Sequence, residues 1–233
     1  MKSINIDGVP FYYEEEILKY EHLHAISVVD AELILTTIDR LFKQKGLFFS
    51  LAFGTLLGAI REHSIIEGDE DVDVFVSDEK KLVSILPFLY NNGVKLIRAQ
   101  KGHFYSFRVN ADCFIDVYIL RPLKWSIWSI YCYSLSNRAM PKKYFIEYKE
   151  IDFLGGKYYC PQDAESYLAF LYGKSWRTPV RGHKFYQEVK SRWYWRTYIK
   201  EPLYNAYMNC RIFAGKIKWF ILGKFGINRK IVK

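Results

Sequence analysis

Cysteine is scarce in this chain, with only four among 233 residues. The four, Cys113, Cys132, Cys160 and Cys210, lie far apart, with no CxxC pair and no histidine at zinc-finger spacing. This spacing argues against a structural zinc site and against a disulfide framework. We therefore expect buried free thiols.

Long apolar runs are also missing. The opening sequence MKSINIDGVPFYYEEE has no apolar core of the kind found in a secretory signal. The one candidate membrane span, 212–222, is too short to cross a bilayer and carries Lys216 and Lys218. We expect a cytoplasmic protein.

Acidic residues are rare in the last part of the chain, which makes the charge uneven. Residues 181–233 hold 13 Lys and Arg against 2 Asp and Glu, whereas residues 1–180 hold 21 against 23. The net charge of +9 therefore belongs to the tail. Half of the residues are hydrophobic, so disorder is excluded and one sizeable domain, alone or with an appendage, is expected.

The segment 53–76, FGTLLGAIREHSIIEGDEDVDVFV, contains a cluster of acids that runs into an apolar stretch. Asp71 and Asp73 are two residues apart in a strand-like pattern, so their side chains point to the same side. Like charges held this close raise each other's pKa unless a cation intervenes. Mg²⁺ prefers such oxygen ligands and completes its shell with phosphate and water. The pattern favours a cation site for phosphate chemistry, and a solvated acidic loop is the alternative.

A Gly-Thr pair, Gly54 and Thr55, stands at the start of a short predicted helix. Glycine lets a ligand approach the backbone closely, and the N–H groups at a helix start favour an anion there. The Thr55 hydroxyl would add a further contact. A structural turn or helix cap is the more common explanation of such a pair, so its functional weight comes only from the acids downstream.

A third acid, Asp116, stands alone in the apolar strand-like segment FIDVYIL. A buried carboxylate without a partner is costly, so Asp116 needs a cation or hydrogen-bond donors. If its strand lies beside that of Asp71 and Asp73, three carboxylates meet at one point. A salt bridge to Arg108 or Arg121 is the alternative.

The rest of residues 1–180 alternates helical and extended patterns, which is typical of an α+β domain. Residues 125–135 are expected to form a helix or a hairpin. In the helix over 30–45, the predicted apolar stripe consists of Leu33, Ile34, Ile38, Leu41 and Phe42. Further helices are predicted at 11–24, 54–61, 78–90 and 161–173, strands at 47–53, 72–76, 94–98, 103–109 and 113–120, and a hairpin at 144–159.

The tail from Arg181 combines its positive charge with twelve aromatic residues. Its apolar residues share one helical face with lysines nearby, a pattern that suits an anionic membrane surface. Nucleic acid would use the same residue types but is the less favoured partner. A solvated helix docked on the domain is the remaining alternative. The face consists of Phe213, Ile217, Phe220, Ile221 and Phe225.

Three blocks in order resemble the LicD family, which includes fukutin-related proteins and belongs to the nucleotidyltransferase-fold superfamily. They are GTLLGAIREHSIIEGDEDVDVFV, then FIDVYIL, then the stretch from CPQD to WRTP, and together they span roughly 47–180. The resemblance implies a nucleotidyltransferase-like mixed sheet flanked by helices as the catalytic domain, residues 1–180. The basic, aromatic and amphipathic helical tail, 181–233, would follow it.

The resemblance also implies the residues of a metal site. Asp71, Asp73 and Asp116 would be both catalytic and ligands of Mg²⁺ or Mn²⁺, and Asp69 would support them. The metal ion held by these carboxylates would then neutralise the phosphates of a substrate.

Donor contacts are implied as well. Gly54 and Thr55 would contact a donor phosphate, and Arg61 would help to hold the diphosphate. The sequence departs from the family pattern at 66–68, Ile-Glu-Gly, where Pro-Trp is common, and at Glu70, where Asp is frequent. These departures concern donor selectivity and leave the metal ligands in place.

Members of the family transfer a phospho-alcohol, such as phosphocholine or ribitol phosphate, from a CDP-linked donor to a glycan hydroxyl. The resemblance implies in-line attack on phosphorus with CMP leaving, and Asp116 is a candidate base. A lipid-linked surface glycan as acceptor would explain a peripheral enzyme at the inner face of the membrane. Nucleotidyl transfer from a nucleoside triphosphate to a small acceptor is one alternative. A non-catalytic module for anionic lipid or RNA is the other.

Overall fold

The computed structural model describes residues 1–18, 24–110, 113–122, 132–135 and 138–179. The tail, 181–233, and most of the predicted element at 125–135 lie outside the described residues. The predicted domain boundary and the membrane-binding helix therefore stay predictions.

The described residues form eleven strands and five α-helices, with a short 3-10 helix at Lys142–Phe145. The helices are α1 (Val28–Gln44), α2 (Phe53–Arg61), α3 (Glu79–Ser84), α4 (Leu86–Asn91) and α5 (Ala164–Tyr172). The strands are β1 (Lys2–Ile6), β2 (Val9–Tyr13), β3 (Ser50–Leu51), β4 (Val72–Val76), β5 (Lys95–Gln100), β6 (Phe104–Arg108), β7 (Phe114–Pro122), β8 (Cys132–Leu135), β9 (Arg138–Pro141), β10 (Tyr148–Phe153) and β11 (Gly156–Pro161).

The central sheet is mixed, with its main strands in the order β3-β4-β7-β6-β5. β4 and β7 run parallel, and the other neighbouring pairs along this path are antiparallel. β8 pairs with the end of β7 and with β9, while β1-β2 and β10-β11 form separate hairpins. This arrangement, with helices α1 and α2 contacting β4, confirms the predicted α+β fold with a mixed sheet flanked by helices.

Helix α1 forms because its apolar residues recur at helical spacing and its start is capped. The Ser27 hydroxyl accepts a hydrogen bond from the Asp30 N–H at 3.0 Å, and Gly46, with φ of 61°, follows its end. The predicted stripe is right except for Leu33, which is 47% exposed. The face that enters the core consists of Ala31, Ile34, Leu35, Ile38, Leu41 and Phe42.

The helix predicted at 11–24 is wrong in its described part. Residues 9–13 form strand β2, paired with β1 across a turn at Asp7 and Gly8, and residues 14–18 have no regular structure. Asp-Gly is a strong hairpin signal because both residues tolerate positive φ, here 50° and 92°. Glu16 instead forms an ion pair with Arg108.

Two further elements differ in extent from their predictions. The strand expected at 47–53 is reduced to β3, and Phe53 already belongs to α2. The single helix expected at 78–90 is two helices that meet at Ile85. Pro87 lies in the first turn of the second helix, where its missing N–H costs least.

The hairpin predicted at 144–159 is confirmed as β10-β11, with its turn before Gly156. The helix predicted at 161–173 is also confirmed, as α5. The Asp163 side chain caps its start by accepting a hydrogen bond from the Ser166 N–H at 3.2 Å, and Gly173 ends it. Trp176, just beyond, is 2% exposed. Within the described ranges, no helix is long and apolar enough to span a membrane.

Candidate functional site

The parallel pairing of β4 with β7 brings two predicted acids side by side. Asp73 and Asp116 are register partners in this pair, and neighbouring strands lie about 4.8 Å apart. Both residues are buried, at 8% and 5% exposure. Since partners in register point to the same face of a sheet, the two carboxylates share one site.

Asp71, just before β4, joins this pair electrostatically. Burial raises its pKa well above the ordinary value, and the charges of Asp116, Asp69 and Glu70 raise it further. The pKa of Asp73 is likewise raised, mainly by burial and further by the charges of Asp71, Asp116 and Asp69. The site therefore concentrates negative charge that the protein compensates only in part.

The partner that the structure gives Asp116 is a residue the sequence reasoning missed. Nη2 of Arg98, on β5, donates to both carboxylate oxygens at 3.1 Å, and the Ser106 hydroxyl donates a further short hydrogen bond. Burial raises the pKa of Asp116, whereas Arg98 and Ser106 lower it. The structure thus gives Asp116 the salt bridge that was the alternative to a shared cation, but with Arg98 and not with Arg108 or Arg121. Arg108 pairs with Glu16 instead.

The start of α2 holds Asp73 in place. The Gly54 N–H donates to Asp73 Oδ2 at 3.2 Å, and the Asp73 N–H donates to the Thr55 hydroxyl at 2.8 Å. A Cβ on Gly54 would lie 2.6 Å from Oδ2 of Asp69, so glycine at this position lets the Asp69 carboxylate lie against the start of α2. Thr55 is only 3% exposed. Both residues therefore shape the acid cluster, and their contacts to a donor phosphate stay predictions.

Phe53, which precedes Gly54, has a strained backbone. Its φ of 38° is rare for a non-glycine residue and costs of order 1–3 kcal/mol. Its ring packs edge-on against Tyr118 at 4.8 Å between centroids, and the Tyr118 hydroxyl helps to lower the pKa of Asp116. Strain of this kind concentrates at functional sites, and no local sequence pattern signals it.

Arg61 lies at the other end of α2, about 10 Å along the axis from Gly54 at 1.5 Å per residue. Its side chain is 11% exposed, pairs with Glu62 at 2.6 Å and donates to the Trp176 carbonyl at 3.1 Å. Arg61 therefore links α2 to the segment after α5. Its contact with a donor diphosphate stays a prediction.

The donor set suits a hard divalent cation. Asp71 and Asp73 offer carboxylate oxygens, and burial, together with the charges of neighbouring acids, raises the pKa of each. Among the described residues, however, no three Asp, Glu, His or Cys side chains already stand in an arrangement that could hold a metal ion. The oxygens of Asp116 face Arg98 and Ser106 instead.

Comparison with known proteins agrees with this architecture. The family model described as LicD/FKTN/FKRP, nucleotidyltransferase domain, matches residues 46–163, just over half of the chain. That range includes both acid-bearing strands. No curated protein sequence matches the chain.

Solved structures that are similar to the chain include the following two. The crystal structure of the lincosamide antibiotic adenylyltransferase LnuA, lincomycin-bound, is 14% identical with a TM-score of 0.46, over 72% of this chain and 98% of that one. The solution structure of the antibiotic-resistance factor ANT(2'')-Ia is 12% identical with a TM-score of 0.46, over 83% and 99% respectively.

Proposed function

Because the chain belongs to the LicD family of nucleotidyltransferase domains, we propose that it transfers a phosphocholine-like phospho-alcohol from a CDP-linked donor to a hydroxyl of a cell-surface glycan. Family membership makes the chain a phosphoryl or nucleotidyl transferase. The register pair of Asp73 and Asp116, with Asp71 beside it, is the observation that best supports the proposal. Clustered carboxylates next to a helix start suit the binding of a metal-complexed phosphate.

Asp71 and Asp73 would hold the metal ion, Mg²⁺ or Mn²⁺, with Asp116 as a third ligand and Asp69 in support. The ion, when bound, would neutralise the donor phosphates and the charge that develops on the leaving CMP. The N–H of Gly54 fixes the orientation of Asp73, because it donates to one carboxylate oxygen. Because the carboxylate is planar, this hydrogen bond to Oδ2 also fixes the direction of Oδ1, the oxygen that would ligate the metal ion.

The transfer forms one bond and breaks one. The acceptor oxygen attacks the phosphorus that bears the alcohol, and the bond from that phosphorus to the oxygen of CMP breaks in line. The hydroxyl proton passes to a base, for which Asp116 is the family candidate. Arg98 and Ser106 stabilise the ionised form of Asp116, which opposes the rise in its pKa that burial causes. A carboxylate that ligates a metal ion is a poor base, so metal binding is the stronger of the two roles proposed for Asp116.

The proposed donor can be tested with three substrates in parallel. Purified protein with Mg²⁺ should release CMP from CDP-choline when a glycan acceptor is present, and chelation by EDTA should stop the release. Pyrophosphate release from CTP or ATP would instead support nucleotidyl transfer. If none of the three donors turns over and no Mg²⁺ binds, the non-catalytic alternative takes the place of this proposal.

We also propose that the basic tail, 181–233, places the enzyme at an anionic membrane surface on the cytoplasmic side. Support comes from its net charge and its aromatic residues, since each Lys or Arg near such a surface contributes about 1 kcal/mol. Removing 212–233 should abolish sedimentation with anionic vesicles, because six Lys and Arg are lost, while CMP release from a soluble donor is kept. Neutral vesicles are the control, and unchanged sedimentation with anionic vesicles would contradict the assignment.

A further inference from the structure

Arg98 occupies the place in the acid cluster where a cation is expected. Its guanidinium reaches across β6 to Asp116 because Arg98 is the register partner of Ser106, and Ser106 is the register partner of Asp116. The three side chains form one hydrogen-bonded row, in which Arg98 also donates to the Ser106 hydroxyl at 3.0 Å. The side chains of Arg98 and Asp116 are 18% and 7% exposed, so this ion pair is shielded from water.

The contact engages both oxygens of Asp116. A buried carboxylate that loses its partner suffers a desolvation penalty of several kcal/mol, so Asp116 needs either Arg98 or another cation at all times. Arg98 also acts on Asp71, where its charge opposes the raised pKa. Arg98 thus acts on two acids of the cluster, on Asp116 by direct contact and on Asp71 through its charge.

We propose that Arg98 is a built-in counter-ion that holds Asp116 while the site is empty and competes with the metal ion for that carboxylate. The inference rests on the proposed metal-dependent function and adds a positioning residue to it. It explains why Asp116 lies in the cluster without completing a metal-binding group among the described residues. On this view Asp71 and Asp73 would bind the ion first. Asp116 would become a further ligand once Arg98 no longer donates a hydrogen bond to one of its carboxylate oxygens.

The test is direct titration of the full chain with Mn²⁺, measured by calorimetry without any nucleotide. Arg98→Met removes the competing charge, so Mn²⁺ should bind about tenfold more tightly than to the parent, which is about 1.4 kcal/mol. Arg98→Lys keeps the charge but loses the contact with both oxygens and should give an intermediate affinity. The matched control is Arg108→Met on β6, whose ion pair is with Glu16, and it should leave the affinity unchanged.

Thermal unfolding provides a second readout. Without metal, Arg98→Met should unfold at a lower temperature than the parent, because Asp116 is left unpaired, and Mn²⁺ should raise that temperature more than it does in the parent. If Arg98→Met does not fold, Arg98→Lys decides the question by its affinity.

The titrations distinguish failure of the counter-ion role from failure of the proposed metal-dependent function. Equal or weaker Mn²⁺ binding by the Arg98 variants, beside a parent that binds Mn²⁺, would overturn the counter-ion role alone. Absence of Mn²⁺ binding in parent and variants together would overturn both the counter-ion role and the metal-dependent function.

Discussion

Replacing both Asp71 and Asp73 by Asn is expected to lower the rate of transfer by about a thousandfold or more, the scale on which losses of electrostatic stabilisation reduce turnover. The amides keep the size of the side chains but remove the charge that would hold the metal ion. The measurement is single-turnover release of CMP from CDP-choline. Asp152→Asn, at an exposed position of β10 in a separate hairpin, is the matched control and should turn over like the parent.

The same double variant should be more stable than the parent in the absence of metal. Asp71 and Asp73 are charges that burial and mutual repulsion disfavour, as their raised pKa values show. Removing the charges removes that penalty, and each kcal/mol gained should raise the melting temperature by about 2–4 °C. Loss of activity with a gain in stability would separate a functional role from a structural one.

The pH dependence of stability follows from the same shifts. Because the pKa of each carboxyl is higher in the folded than in the unfolded chain, the folded state binds protons more tightly between the ordinary value of 3.8 and the raised pKa. The free energy of unfolding of the metal-free parent should therefore fall as pH rises through this window. The double Asn variant should lack this fall, and saturating Mg²⁺ should reverse the loss at neutral pH. Identical pH profiles for parent and variant would refute the electrostatic account.

The acid pair could be predicted because its signal is local. Alternating acids and valines predict a strand, and period-two geometry places Asp71 and Asp73 on one side. The meeting with Asp116 depended on β7 pairing with β4, which are some forty residues apart, and the sequence supported it only through the family resemblance. Pairing of distant strands leaves no local mark in composition or spacing.

Arg98 escaped prediction for a related reason. Its part in the site depends on two successive antiparallel registers, β5 with β6 and β6 with β7, including an irregularity between Leu96 and Arg98. A shift of one residue in either register would turn Arg98 to the opposite face. The nearby Arg108 and Arg121 were the natural candidates by sequence distance, but distance along the chain does not decide which strand faces reach Asp116.

The helix wrongly predicted at 11–24 shows how a tertiary contact overrides a local pattern. The local pattern includes three consecutive acids, Glu14, Glu15 and Glu16, and the helix dipole favours acids in a first turn. In the structure Glu16 pairs with Arg108, and its N–H donates to the Ile97 carbonyl at 2.9 Å. These contacts bind Glu16 to strands β5 and β6 in place of a helical turn.

Gly54→Ala is expected to lower turnover by about a hundredfold while leaving the fold intact, because misplaced groups near the chemistry cost on this scale. The new Cβ would lie 2.6 Å from Oδ2 of Asp69, so that carboxylate must move. A side chain can rotate away, and alanine favours the helix by about 0.5–1 kcal/mol over glycine. The melting temperature should therefore stay close to that of the parent while the rate of CMP release from CDP-choline falls.

Gly58→Ala, one helical turn further along α2, is the matched control. Its Cβ would lie 2.5 Å from the backbone carbonyl of Ser64, which cannot rotate away, so the expected cost is stability, about 1–3 kcal/mol. The two alanines thus separate the effects: one displaces a charge beside Asp73, and the other displaces the chain. If Gly54→Ala kept the parental rate, the position of the Asp69 carboxylate would not matter for transfer. The acids that take part in the reaction would then be Asp71, Asp73 and Asp116 alone.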